Sequence, residues 1–153
     1  MAGGIETRRL TQDDTTLATQ LFALMAEVFE EGPRAELGTA YVDSLLRRPD
    51  FWAVAAFVDG ELAGGLTAHT LPMTRSESFE IFIYDLAVRA DRQRRGVGRR
   101  LVRALRDMAA AEGIHDVFVP ADDEDAHALA FYRALGADGA PVTIFVFPRN
   151  TSD

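Results

Sequence analysis

Gln93-Arg-Arg-Gly-Val-Gly98 lies between two segments of opposite character. Before it, Phe79 to Val88 (FEIFIYDLAV) is rich in β-branched and aromatic residues and reads as a strand. After it, Arg99 to Glu112 (RRLVRALRDMAAAE) is rich in helix formers. A strand, a glycine-punctuated turn and a helix start together make an anion site. Glycine lets the backbone approach a ligand closely, and the orphan N–H groups of the first helical turn point at it. The expected ligand therefore carries phosphates.

The surrounding charge agrees. The chain carries net −8, but residues 89–106 hold eight arginines against one acid, Asp91, for a local +7. The remainder sums to −15. A basic block on a glycine turn favours a polyanion there. The acidic remainder argues against nucleic acid as a partner and suits a cationic one.

Composition removes several chemistries. Cysteine and lysine are both absent. Thiol nucleophiles, disulfides, Cys-ligated zinc and Schiff-base lysines are excluded. The histidines His69, His115 and His127 have no metal-ligand spacing, so no metal is expected. At 153 residues and 48% hydrophobic, the chain is expected to form one domain spanning 1–153. It has no apolar run long enough to span a membrane, and MAGGIETRRL lacks the apolar core of a signal peptide. A cytoplasmic location is the expectation, with no membrane partner.

Outward from the turn, the pattern alternates strands and helices. Gly4 to Leu10 reads as an opening strand, and Thr11-x-x-Asp14 as a capping box variant. Leu17, Leu21, Leu24 and Val28 repeat at helical spacing over 12–31, and Thr39 to Arg48 is a second helix. Phe51 to Val58 and Glu61 to Leu71 flank the Asp59-Gly60 hairpin signal. Ile114 to Val119 reads as a strand, Asp125 to Leu135 as a helix and Val142 to Phe147 as a closing strand. The order βααβββαβαβ predicts an α/β fold with a mixed central sheet flanked by helices.

Two phosphate-binding classes do not fit. A P-loop needs Lys-Ser/Thr after its glycines. A Rossmann site needs a third glycine and a second half-fold, and neither follows. The stretch Val88 to Gly98 (VRADRQRRGVG) instead resembles the acyl-CoA signature of the GNAT superfamily of N-acetyltransferases. Asp125 to Gly136 (DAHALAFYRALG) is similar to that family's later helix, where an Asn-x-x-Ala-x-x-Phe-Tyr-x-x-x-Gly pattern is common. Within the superfamily, Phe51 to Phe57, Gly64 to Pro72 and above all Ile81 to Val88 resemble aminoglycoside 3-N-acetyltransferases of the small GNAT type. The acidic stretch Ala121 to Ala126 is similar to that group's acidic loop.

The resemblance implies a GNAT fold with a β-bulge and splayed strands at the coenzyme site. It implies direct acetyl transfer from acetyl-CoA to a primary amine, here the 3-amino group of an aminoglycoside, conferring antibiotic resistance. A homodimer is a family expectation. Leu86, Ala87 and Val88 match the strand that meets the pantetheine arm. Arg94, Arg95, Gly96, Val97, Gly98 and Arg99 match the pyrophosphate turn. Tyr132 matches the tyrosine near the coenzyme sulfur, as proton donor to the thiolate; its alternative is a core aromatic beside Phe131.

Asp85 is the candidate base or amine anchor, because an ionised carboxylate inside an apolar strand is costly unless paired. A structural acid is the alternative. Tyr84 would face the other way in a regular strand and the same way across a bulge. Asp122, Asp123 and Glu124, with Glu30 and Glu31 at the end of the first helix, are candidate partners for the ammonium groups. Glu27 and Glu80 are weaker candidates, and Asp125 reads as a helix N-cap. Other readings stay open: an acetyltransferase for polyamines or protein amines, a silent acetyl-CoA-binding module, and a tRNA-directed enzyme, which the acidic remainder disfavours.

Overall fold

The computed structural model describes residues 4–30, 32 and 36–150. The chain divides into two compact units, one through Pro120 and one from Ala121. The first contains β1 (Ile5–Arg9), α1 (Thr15–Val28), α2 (Thr39–Leu46), β2 (Phe51–Val58), β3 (Glu61–Pro72), β4 (Phe79–Val88), α3 (Val97–Ala111) and β5 (Asp116–Phe118). Single 3-10 turns at Gln12–Asp14 and Ala90–Arg92 lead into α1 and away from β4. The second unit contains α4 (Ala126–Ala134).

The sheet is mixed, as the pattern predicts. Its order is β1-β2-β3-β4-β5, antiparallel throughout except for the parallel pair β4–β5. Both faces are covered, which explains the unbroken apolar run of β2. Trp52, Val54, Ala56 and Val58 meet Val97, Leu101, Leu105 and Ala109 of α3. Phe51, Ala53 and Ala55 meet Leu21 and Met25 of α1 and Val42 and Leu46 of α2. The four α3 residues recur every fourth position, so one stripe is buried and Arg99, Arg103 and Arg106 stay on the exposed side.

Gly65 sets how closely α1 can lie on the sheet. A Cβ there would stand 2.5 Å from Leu21 Cδ1 and 2.8 Å from the Val54 carbonyl oxygen. Trp52 belongs to the core; it is 1% exposed and donates its indole N–H to Thr70 Oγ1 at 2.8 Å. The Arg9 guanidinium stacks 3.5 Å above its ring, and burial lowers the Arg9 pKa against the raising effect of Glu112.

One expected element is absent. Residues 142–147 form no strand, and Val142, Ile144, Phe145, Val146 and Phe147 are all exposed. Their β-branched and aromatic character signals a fit to a pleated surface, and no neighbouring strand among the described residues supplies one. The first helix is also shorter than its periodicity suggests. It becomes α-helical only at Thr15 and stops at Val28.

Candidate functional site

The site is assembled where β4 runs into α3. β4 pairs with β5 only at Glu80, Ile81 and Phe82, which meet Asp116, Val117 and Phe118. From Ile83 to Val88 that edge of β4 has no strand beside it among the described residues. The splay and the bulge expected of the fold are therefore both present. The open edge presents backbone donors and acceptors, a template for an extended ligand arm.

The bulge falls at Tyr84. Thr67 pairs with Asp85 and Ala68 with Ile83, so Tyr84 is the extra residue. Before it, Ile81 and Ile83 face α3; after it, Leu86 and Val88 do, while Ala87 joins the α1 and α2 side. Asp85 therefore lies on the α1 and α2 face with Thr67 and Ala87. Tyr84 leans to that face too, with its ring 6.0 Å from His69 and 5.8 Å from Phe82. Tyr84 is 63% exposed and Asp85 half-buried.

Beyond β4 the chain turns sharply. The Gln93 amide donates to the Val88 carbonyl at 3.0 Å and holds the turn against the strand. Arg94 (φ 63°) and Gly96 (φ 84°) are both left-handed. Alternating handedness of this kind makes a concave nest of N–H groups. Gly96 is the N-cap of α3, and no side chain caps this helix. The first intrahelical bond runs from the Arg100 N–H to the Gly96 carbonyl at 3.0 Å. The N–H groups of Val97, Gly98 and Arg99 precede that bond and are the orphan donors of the helix start. Val97 and Gly98 are buried, so they offer a ligand backbone only.

The cations divide in two. Arg89 pairs with Asp91 at 3.0 Å and Arg92 with Glu61 at 3.2 Å. Arg94, Arg95, Arg99, Arg103 and Arg106 have no ion pair among the described residues. A nest of N–H donors, the positive end of a helix and unpaired arginines fit a pyrophosphate with an additional phosphate. The turn thus suits the phosphate end of coenzyme A.

Other expected residues lie elsewhere. Glu30 follows α1 with a left-handed backbone (φ 54°) and is exposed. Glu31 lies outside the described residues. Glu27 is exposed on α1, and Glu80 sits at the entry of β4 opposite Asp116. In the second unit, Asp122 accepts the Glu124 N–H at 2.9 Å, and Asp122, Asp123 and Glu124 are exposed. Asp125 caps α4 by accepting the Ala128 N–H at 3.0 Å. Tyr132 is half-buried on α4, its ring 5.0 Å from Phe131. Among the described residues no group of three or more His, Cys, Asp or Glu side chains is placed to hold a metal ion. Nor is any described helix long and apolar enough to cross a membrane.

The sequence pattern of the acetyltransferase (GNAT) family matches residues 16–137. The chain belongs to the GNAT acetyltransferase family. Acetyltransferases of this family use acetyl-CoA. The mycothiol acetyltransferase of Clavibacter michiganensis subsp. michiganensis is 31% identical over 149 residues, covering 94% of this chain and 46% of the relative. The chain thus spans about half the length of that relative. Among solved structures of the family, an aminoglycoside acetyltransferase from an uncultured soil metagenomic sample, in complex with sisomicin, superposes with a TM-score of 0.88 at 31% identity. It covers 95% of this chain and 97% of that one. Another soil metagenomic aminoglycoside acetyltransferase gives 0.87 at 35% identity, over 96% and 99% of the two chains.

The row of aromatic rings around Tyr84 escaped the sequence. Phe51, His69, Phe82 and Tyr84 lie on three strands, and their alignment depends on register. Two bulges shift that register, one at Tyr84 and one between the pairs of Ala56 and Phe57. The only sequence signal was the aromatic richness of the strands themselves.

Proposed function

We propose that the protein is an acetyl-CoA-dependent N-acetyltransferase that acetylates the 3-amino group of an aminoglycoside by direct transfer. The observation that carries this reading is the bulge at Tyr84. It turns Tyr84 and Asp85 to one face of β4, at the stretch where β4 has left β5 and just before the nest at Arg94–Gly96. Two soil aminoglycoside acetyltransferases at 31% and 35% identity over nearly the whole chain support the substrate class. The likeness of Ile81 to Val88 supports the 3-amino position.

In this reading the N–H groups of residues 94–99 and the side chains of Arg94, Arg95 and Arg99 hold the phosphates. The backbone of Leu86, Ala87 and Val88 lines the pantetheine arm. The coenzyme supplies an acetyl thioester. Asp85 anchors the substrate ammonium and takes its proton, so that the nitrogen lone pair can attack the acetyl carbon. A C–N bond forms and the C–S bond breaks. Tyr132, through its match to the family pattern, gives a proton to the departing sulfur. The acidic residues singled out from the sequence, Glu30, Glu31, Asp122, Asp123 and Glu124, would supply negative charge for the other ammonium groups. Acetylation removes one positive charge from the drug and weakens its hold on RNA phosphates, which would confer resistance. We extend the proposal to a homodimer, supported by the bare apolar segment 142–147.

A second reading is mycothiol acetyltransferase activity, favoured by the 31% identity with that relative. The test is thiol release from acetyl-CoA with gentamicin, spermidine and an N-terminal peptide amine. Rapid turnover on gentamicin, with 3-N-acetylation found by NMR of the product, is expected. Turnover only on spermidine or the peptide would reassign the substrate.

A further inference from the structure

Six rings form a continuous row across one face of the sheet. Phe22 of α1, Phe51 of β2, His69 of β3, Tyr84 and Phe82 of β4, and Phe118 of β5 follow one another. Successive centroids are 6.3, 5.5, 6.0, 5.8 and 5.2 Å apart. These spacings fall in the range where tilted and edge-to-face rings attract, about 4.5–7 Å. The row is buried at its β2 end, where Phe51 is 7% exposed beneath α1. It is bare at the other end, where Tyr84 is 63% and Phe118 42% exposed. Asp85 borders the bare end on the same face.

We infer that Tyr84, braced by His69 and Phe82, is a platform for a saturated ring bearing ammonium groups. It sets specificity for amino sugars and aminocyclitols over linear polyamines. Two features of such a ligand match two features of this surface. Its flat C–H face covers exposed aromatic area, and its ammonium groups meet the negative face of the π system and the Asp85 carboxylate. A linear polyamine has the charges but no rigid apolar face, and it loses more chain freedom on ordering. The bulge is essential to this geometry. In a regular strand Tyr84 and Asp85 would face opposite sides. The bracing also explains why an exposed tyrosine can act as a fixed surface: two neighbouring rings pack against it at steep angles, 84° for His69 and 71° for Phe82.

The inference rests on the proposed amine-acetylating activity for its setting, and it is tested by binding rather than turnover. Neamine and spermidine are titrated calorimetrically into the full chain saturated with coenzyme A, with Tyr84→Ala and Tyr84→Phe as variants. Tyr84→Ala is expected to weaken neamine about tenfold, within the range of a partly desolvated cation–ring contact. Tyr84→Phe keeps the ring and is expected to stay within about twofold, and spermidine is expected to shift less than about twofold in both. In the wild type, neamine should move the Tyr84 ring resonances in aromatic NMR spectra. Unchanged neamine affinity in Tyr84→Ala, an equal loss for spermidine, or no movement of the Tyr84 resonances would each overturn the platform. Tyr84-dependent binding without turnover would reject the acetylation reading and keep the platform. Turnover indifferent to Tyr84 would do the reverse.

Discussion

Asp85 stands one residue beyond a bulge, and that insertion decides which side of the sheet its carboxylate reaches. On the α3 side it would sit among Ile83, Leu86 and the apolar stripe of α3, where an ionised carboxylate is expensive. On the opposite side it borders Thr67 and the open aromatic surface. Asp85→Asn keeps the shape and removes the charge and the basicity. It is expected to lower kcat/KM for the amine by about 10²- to 10⁴-fold, the range general base catalysis supplies. The affinity for acetyl-CoA, measured by calorimetry, should hardly change. Activity close to wild type would remove Asp85 from the chemistry. Tyr132 owes its proposed role to its place in the helix pattern. Tyr132→Phe is expected to slow transfer roughly ten- to a thousandfold if the phenol protonates the leaving thiolate. An unaltered single-turnover rate would return Tyr132 to a packing role beside Phe131.

At the level of elements, the turn into α3 and the entry to α1 make contrasting demands on sequence. Gly96 adopts φ 84°, and a Cβ built there meets no protein atom within 4 Å. A side chain is therefore disfavoured by backbone conformation and by the phosphate it would displace, not by crowding from the fold. Gly96→Val should abolish acetyl-CoA binding in calorimetry while leaving a folded protein, with left-handed strain of about 1–2 kcal/mol. Intact binding would contradict the pyrophosphate assignment. At α1, the Thr11 N–H donates to Asp14 at 2.8 Å, the Asp13 N–H to Thr11 Oγ1 at 3.3 Å, and Arg8 donates to Asp14 at 2.8 Å. Burial raises the Asp14 pKa, but the Thr11 backbone bond and Arg8 outweigh it, and the net shift is downward. A lowered folded pKa stabilises the fold above the unfolded value, and that stability is lost as pH falls through the folded one. Asp14→Ala is expected to cost about 1 kcal/mol near pH 7. The gap to wild type should shrink as urea melts are taken below the ordinary carboxylate range. A gap independent of pH would assign the loss to something other than the ionised cap. The Thr11-x-x-Asp14 cap, the Asp59-Gly60 turn and the α3 stripe were legible because each is a local pattern. The bulge at Tyr84 was not, because FEIFIYDLAV reads the same with or without an extra residue. The aromatic row depends on that register and was hidden with it.

Taken as a whole, the molecule separates its surface chemistry along the chain. Residues 89–106 carry +7 and the rest −15, as an anionic coenzyme and a cationic amine require. The stretch that fits neither role is Val142 to Phe147. Its five large apolar residues are 69–92% exposed and belong to no sheet. Bare apolar segments of high β propensity commonly mark association sites, and the proposed dimer uses this one. β5, only three residues long, is paired on one side only among the described residues. Where the 142–147 segment of each copy pairs with a strand edge of the other, the contact is reciprocal and closes as a two-fold dimer. Light scattering after size exclusion is therefore expected to give twice the 16.8 kDa chain mass. Phe145→Asp with Phe147→Asp should give a single-chain mass, because two charges in a buried strand pairing are not tolerated. A wild-type monomer at micromolar concentration would sink the dimer. A dimer indifferent to both substitutions would move the interface away from this segment.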